Sequence, residues 1–235
     1  MELLDRLTED PPRAAVVLDV DGVLAPIVPR PEDARVPDDI RAELRRLARR
    51  YGLVAAVTGR LEPDARAVVG LPALVYVGNH GLDLDSSADT WTERLAAFLS
   101  TVDWPQIENK GLTASFHYRN VRDEGAALRE LDAIAERARA DGFVARYGRK
   151  VLEVLPPLEA NKGTAVRQLL RERNLRRALY IGDDTTDLDA FAALDGLDLG
   201  IRVAVASAEG PPELRAQADI VLDAQSEVLG LLRSL

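Results

Sequence analysis

Four short stretches combine residue types that could handle a phosphate group. The first is Asp19-Val20-Asp21-Gly22, at the end of the apolar run AAVVLDV over 14–20. Side chains two apart on a strand share a face, so both carboxylates are expected to project into the crevice at the carboxyl end of a parallel sheet, where such folds bind ligands. A plain acidic turn would carry the same letters. The second is Thr58-Gly59-Arg60, directly after the apolar run LVAAV over 53–57. A hydroxyl, backbone N–H groups and a guanidinium suit a phosphate, although glycine also serves an ordinary strand-to-helix turn. The third is Asn161-Lys162-Gly163, at the start of a helical pattern. The helix dipole mildly opposes a cation in a first turn, which favours a lysine placed there to neutralise a phosphate or carboxylates. The fourth is Gly182-Asp183-Asp184-Thr185-Thr186-Asp187. Acids this crowded repel one another unless a cation sits among them, and an all-oxygen set of this kind suits Mg²⁺. Asp184 or Thr186 could also cap the helix that follows.

The elements that must position these loops alternate along the chain. After the strand at 14–20, residues 37–51 show helical periodicity, with Ile40, Leu44, Leu47 and Ala48 on one face. A strand at 53–57, a helix at 63–69 and a strand at 74–77 follow. Near the C-terminus, 163–173 reads as helix, 178–181 as strand, 187–194 as helix, 200–205 and 220–222 as strands, and 226–235 as an amphipathic helix. Strand–helix alternation is the signature of an α/β fold, here a doubly wound, Rossmann-like parallel sheet. The middle differs. Residues 112–119 (LTASFHYR) alternate apolar and polar, as an antiparallel strand with one solvated face does, and 143–147 and 150–155 read similarly around a long helix at 122–141. The expected organisation is a core domain formed by 1–82 and 159–235, with an inserted α/β cap containing an antiparallel sheet at 83–158.

Composition narrows the function classes. The 235 residues are 47% hydrophobic, enough for a sizeable core, and carry a net charge of −9. That acidity argues against nucleic acid as the partner. No cysteine is present, which excludes disulfides and thiolate metal sites. No apolar run approaches a membrane span, and MELLDRLTEDPPR lacks the pattern of a signal peptide. The expectation is a soluble, cytoplasmic monomer with no membrane partner. Of the 30 basic residues only Lys110, Lys150 and Lys162 are lysine, and two of the three fall in motifs, Lys162 in Asn161-Lys162-Gly163 and Lys110 in Glu108-Asn109-Lys110-Gly111.

Together the DxDG, the hydroxyl loop, the lysine and the GDD, each at the edge of a strand or helix, resemble the haloacid dehalogenase-like phosphatases. Gly78-Asn79-His80-Gly81, Glu108-Asn109-Lys110-Gly111, His117-Tyr118-Arg119, Glu153-Val154 and the run GDDTTDLDAF extend the resemblance to the trehalose-6-phosphate phosphatases over nearly the whole chain. The resemblance implies Asp19 as a nucleophile that takes up the phosphoryl group, and Asp21 as the acid/base. It implies Thr58 and Lys162 as catalytic groups that hold the phosphoryl oxygens, with Gly59 and Arg60 beside them. It implies a Mg²⁺ shell from Asp19, the Asp21 carbonyl and Asp183, oriented or completed by Asp184 or Asp187. Glu108, Lys110 and Glu153 are implied to bind the second sugar, with His117, Arg119 and Asn161 also lining the substrate. One departure is Val23, where many members carry threonine. The implied substrate is a small-molecule sugar phosphate, trehalose 6-phosphate, with a functional link to a trehalose-6-phosphate synthase. Other disaccharide-type phosphates remain alternatives: sucrose 6-phosphate, mannosyl-3-phosphoglycerate or a trehalose-like pseudo-disaccharide phosphate. A phosphomutase and a phosphorylated-aspartate regulator are the remaining classes.

Overall fold

The computed structural model describes residues 2–28, 30–119, 121–148, 150–206 and 210–235. The chain gathers into two units, Met1–Gly81 with Ala160–Leu235, and Leu82–Glu159. In chain order the strands are β1 (Ala14–Leu18), β2 (Leu53–Val57) and β3 (Val75–Val77) in the first unit. The second holds β4 (Ile107–Asn109), β5 (Ala114–His117), β6 (Val144–Gly148) and β7 (Val151–Leu155). The chain then returns to the first unit for β8 (Arg177–Gly182), β9 (Leu199–Val205) and β10 (Ile220–Leu222).

The first unit's sheet runs β10-β9-β8-β1-β2-β3, with every pairing parallel. All residues of β1 and β2 are buried, as an unbroken apolar strand must be when helices cover both faces. Strand order reverses at β1. The chain runs outward through β2 and β3 on one side and through β8, β9 and β10 on the other, so the crevice of such a fold lies at β1. Leu18 pairs with both Ala56 and Ile181. This register brings the carboxyl ends of β1, β2 and β8 to one edge, and Asp19, Thr58 and Asp183 are the next residues out.

Two helices show how local sequence serves that edge. Helix Asp38–Arg50 buries Ile40, Leu44 and Leu47 and turns its arginines outward. Asp38 and Asp39 lie at its start and Arg49 and Arg50 at its end, as the helix dipole favours. Helix Lys162–Glu172 starts with a reciprocal cap. The Asn161 side chain accepts from the Thr164 N–H at 2.9 Å, and the Thr164 hydroxyl oxygen accepts from the Asn161 N–H at 2.9 Å. The cap fixes where the first helical residue, Lys162, points.

The second unit is an antiparallel sheet, β4-β5-β7-β6. Helices Ala88–Leu99 and Glu124–Ala140 supply Leu95, Phe98, Leu131 and Ile134 to a core with Phe116, Leu152, Val154 and Phe143. On the opposite sheet face a row in register crosses all four strands: Glu108, Ser115, Glu153 and Arg146.

The structure adds β4 and the helices Glu2–Thr8, Ala88–Leu99 and Pro212–Gln217 to the elements expected from sequence. It also shortens the strand expected over 112–119 to Ala114–His117, and Ser115 is buried, not solvated. No described helix is long and apolar enough to cross a membrane.

Candidate active site

Asp19 leaves β1 with its N–H still donating to the Ile181 carbonyl at 2.9 Å, one residue beyond the assigned strand. Its carboxylate is buried and accepts from the Val20 N–H at 2.6 Å. The chain then turns, with the Ala25 N–H donating to the Val20 carbonyl at 2.8 Å. Gly22 holds the turn at a φ of 72°, and a Cβ there would collide with the Asp183 carboxylate. The backbone of the loop that follows Asp19 therefore lies directly against Asp183.

Asp21 departs from the expectation that the two acids share one strand face. β1 ends at Leu18, and Asp21 sits in the turn, where Arg60 grips it with both prongs. Nε meets Oδ2 and Nη2 meets Oδ1, each at 2.6 Å. Arg60, expected at the phosphate, is thus bound to the acid/base candidate. The bidentate partner raises the guanidinium's already high pKa further.

The hydroxyl loop is held from the β3 side. Thr58 is buried and its N–H donates to the Val77 carbonyl at 3.0 Å. The Asn79 N–H donates to the Arg60 carbonyl and the His80 N–H to the Thr58 carbonyl, both at 2.9 Å. A Cβ on Gly59 would sit 2.5 Å from the His80 ring, so glycine is required by close approach. His80 supports the loop and has a structural part to play here.

Lys162 is the buried hub. Its Nζ donates to Asp19 Oδ2 at 2.5 Å and to Asp187 Oδ1 at 2.7 Å. Asp187 is fully buried and takes two donors on each oxygen. Oδ1 accepts from Lys162 and from the Tyr180 hydroxyl at 2.7 Å, while Oδ2 accepts from the N–H groups of Asp183 (2.8 Å) and Asp184 (2.9 Å). Asp184 is exposed and its carboxylate accepts from the Thr185 N–H. Of the two acids considered as partners of Asp183, Asp187 is the one turned inward. Asp184 lies outside the cluster, because successive residues entering a helix face different ways.

Oxygens of Asp19, Asp183 and Asp187 lie within 4.8 Å of one another, all buried. Burial, with repulsion from Asp19 and Asp187, pushes the Asp183 carboxyl up to about 8. Burial also pushes Asp19 up, against the pull of Lys162. Burial would lower the Lys162 ammonium, but Asp19 and Asp187 outweigh it and hold the lysine charged. Three carboxyl groups share one ammonium in a desolvated place, and their full ionisation needs another cation. That donor set fits a divalent cation at Asp19 and Asp183, since the four lone-pair positions of Asp187 are already filled.

The second unit carries the remaining candidates. Glu108 Oε2 lies 3.1 Å from His117 Nε2 and 3.5 Å from Lys110 Nζ. Glu153 Oε2 accepts from Arg146 Nε at 2.8 Å. Arg119 is exposed beyond the end of β5 and joins none of these bonds. Asn161, expected at the substrate, has its side-chain oxygen engaged in the helix cap. Sequence reasoning passed over Tyr180 and Arg146. The first looks like one more core residue in ALYI, and the second like one more solvated arginine.

The sequence model of the trehalose-phosphatase family matches residues 17–226. A probable trehalose-phosphate phosphatase 2 from Oryza sativa subsp. japonica is 31% identical over 83% of this chain and 62% of its own length. The trehalose 6-phosphate phosphatase RA3 from Zea mays is 30% identical over 93% of this chain and 68% of its own. The chain thus spans less than two thirds of the length of the first of these relatives and 68% of the second. The solved trehalose-6-phosphate phosphatase of Aspergillus fumigatus superposes with a TM-score of 0.66 at 23% identity, covering 99% of this chain and 95% of that one, which shows a shared fold. The chain belongs to the trehalose-phosphatase family.

Proposed function

We propose that the chain is a Mg²⁺-dependent phosphatase that hydrolyses trehalose 6-phosphate to trehalose and inorganic phosphate through an aspartyl-phosphate. The observation that carries this is the buried Asp19 carboxylate held 2.5 Å from Lys162 beside Asp183. Asp19 attacks phosphorus and the bond to the sugar oxygen breaks. Asp21 gives that oxygen a proton and then takes one from the water that hydrolyses the aspartyl-phosphate. Thr58 and Lys162 hold the phosphoryl oxygens. Arg60 can exchange Asp21 for an arriving phosphoryl group, freeing the Asp21 carboxyl for its proton transfers. Asp19, Asp183 and the Asp21 carbonyl would hold Mg²⁺, which offsets the repulsion between a carboxylate nucleophile and an anionic substrate.

The second unit acts as the cap, and its Glu108, Lys110 and Glu153 read the sugar hydroxyls, which charged groups recognise through directed hydrogen bonds. The relatives' printed names support this substrate for a chain of the same family. A synthase making trehalose 6-phosphate would supply it.

The test is phosphate release from a panel of sugar phosphates with and without Mg²⁺, for wild type and Asp19→Asn. Turnover of trehalose 6-phosphate that needs Mg²⁺ and falls by at least ~10³-fold in Asp19→Asn is expected. Preference for another disaccharide phosphate would overturn the substrate. Product that keeps its phosphoryl group would indicate a mutase. Full activity in Asp19→Asn would overturn the mechanism.

A further inference from the structure

Tyr180 is a wholly buried phenol in the middle of β8, and the mechanism above does not use it. Its neighbours Leu179 and Ile181 point to the opposite face and join the main hydrophobic cluster. Its ring packs edge-on against Phe191, with centroids 6.1 Å apart and planes at 84°. Phenylalanine would fill this place equally well, and a buried hydroxyl is costly unless it finds a partner. The partner here is Asp187 Oδ1, at 2.7 Å, the same atom that receives the Lys162 ammonium at 2.7 Å. The bonds therefore run in one buried line from Tyr180 through Asp187 and Lys162 to Oδ2 of Asp19. The backbone sets the same line from below, because Val17, two residues before Asp19, pairs with Tyr180.

We propose that Tyr180 is a positioning residue for phosphoryl transfer: its hydroxyl, through Asp187 and Lys162, fixes the carboxylate of Asp19 for attack. The inference rests on the phosphatase reading above. With two donors on each oxygen, the Asp187 carboxylate cannot rotate without breaking a bond. Removing the Tyr180 donor leaves Lys162 as the only bond to Oδ1, and the lysine can then shift relative to Asp19. Networks of this kind in a low-dielectric interior act as a unit, and a small misplacement of a reacting group costs far more in rate than in binding.

The experiment compares Tyr180→Phe with Phe191→Leu, assayed on trehalose 6-phosphate and on p-nitrophenyl phosphate, with thermal melting of each variant. Tyr180→Phe is expected to lower kcat by about 10-fold on both substrates and to leave KM within about 2-fold. Phe191→Leu disturbs the same packing but keeps the hydroxyl, so it should lower the melting temperature and leave kcat within about 2-fold. In an Asp187→Asn background, Tyr180→Phe should add less than about 2-fold, because the line is already broken at its next member.

An unchanged kcat in Tyr180→Phe would overturn the inference, as would equal kcat losses in Tyr180→Phe and Phe191→Leu, or full additivity with Asp187→Asn. If Asp187→Asn does not fold, the first two comparisons still decide. A wild type inert on both substrates would sink the phosphatase reading and this inference together. An active wild type with an indifferent Tyr180→Phe would sink the inference alone.

Discussion

The two units place charge in opposite ways. In the first, Lys162, Asp19 and Asp187 are almost wholly out of solvent, and each is held by at least two bonds. In the second, Glu108, Lys110, His117, Glu153 and Arg146 lie in contact with water on one sheet face. A buried ion pair costs much to desolvate, contributes little net stability, and becomes strongly unfavourable when one member is removed. A solvated pair costs little to make and little to lose. The difference fits a division of labour. Attack at phosphorus needs geometry that does not yield, whereas reading the hydroxyls of a sugar needs side chains that can exchange water or each other for ligand.

Lys162→Ala should break the buried side of this contrast most severely. It leaves Asp19 and Asp187 facing each other without the ammonium, at a cost of about 3–5 kcal/mol in stability. Denaturant unfolding should show the loss, and phosphatase activity should disappear with it. A variant with wild-type stability would mean that water or a cation already screens these carboxylates.

A second effect follows from the direction of the Asp183 shift. Its carboxyl goes from an ordinary 3.8 to about 8 in the folded chain, so the folded state keeps a proton that the unfolded state has lost. The stability contributed by that proton is complete below the unfolded value and drains away as pH rises through about 8. Metal-stripped protein should therefore melt at falling temperature as pH is raised across that window, and Asp183→Asn should flatten the slope. Mg²⁺ competes with the proton, so the stabilisation it provides should grow with pH. A pH-independent Mg²⁺ effect would move the cation away from Asp183.

How much of this was legible in the sequence follows from the same physics. Strands buried on both faces read as unbroken apolar runs, so β1, β2 and β8, and with them the positions of Asp19, Thr58 and Asp183, could be placed from letters alone. The choice between Asp184 and Asp187 could not, because it depends on how a loop rotates into a helix. Nor could the grip of Arg60 on Asp21, which joins residues far apart in the chain. Asn161 was legible as a polar residue at a helix start, but its cap role needed the reciprocal bond from Thr164. β4 is three residues long with a charged centre, too short to show a period.

On the exposed side, Glu108→Ala and Lys110→Ala should raise KM for trehalose 6-phosphate by about 10-fold each and leave kcat and melting temperature nearly unchanged, the signature of lost uniform binding. Turnover of p-nitrophenyl phosphate, which has no second sugar, should be indifferent to both. A fall in kcat on both substrates would mean that the second unit also shapes the chemistry, and the contrast would blur.

The smallest effect sharpens the contrast most finely. Arg146 and Glu153 face each other directly across β6 and β7, with an Nε–Oε2 distance of 2.8 Å and relative side-chain exposures of 64% and 35%. Geometry alone would make this a strong pair. Solvent and the entropy of holding a long arginine oppose it, and cross-strand opposite charges contribute only about 0.2–1 kcal/mol. A double-mutant cycle of Arg146→Ala and Glu153→Ala, followed by denaturant unfolding, should give a coupling in that range that shrinks as salt is added. A coupling that survived high salt at several times this size would show Glu153 to be locked as firmly as Asp187. A carboxylate so locked would not be free to trade its arginine for a sugar hydroxyl, and the adaptable role assigned to this face would then fall to Glu108 and Lys110 alone.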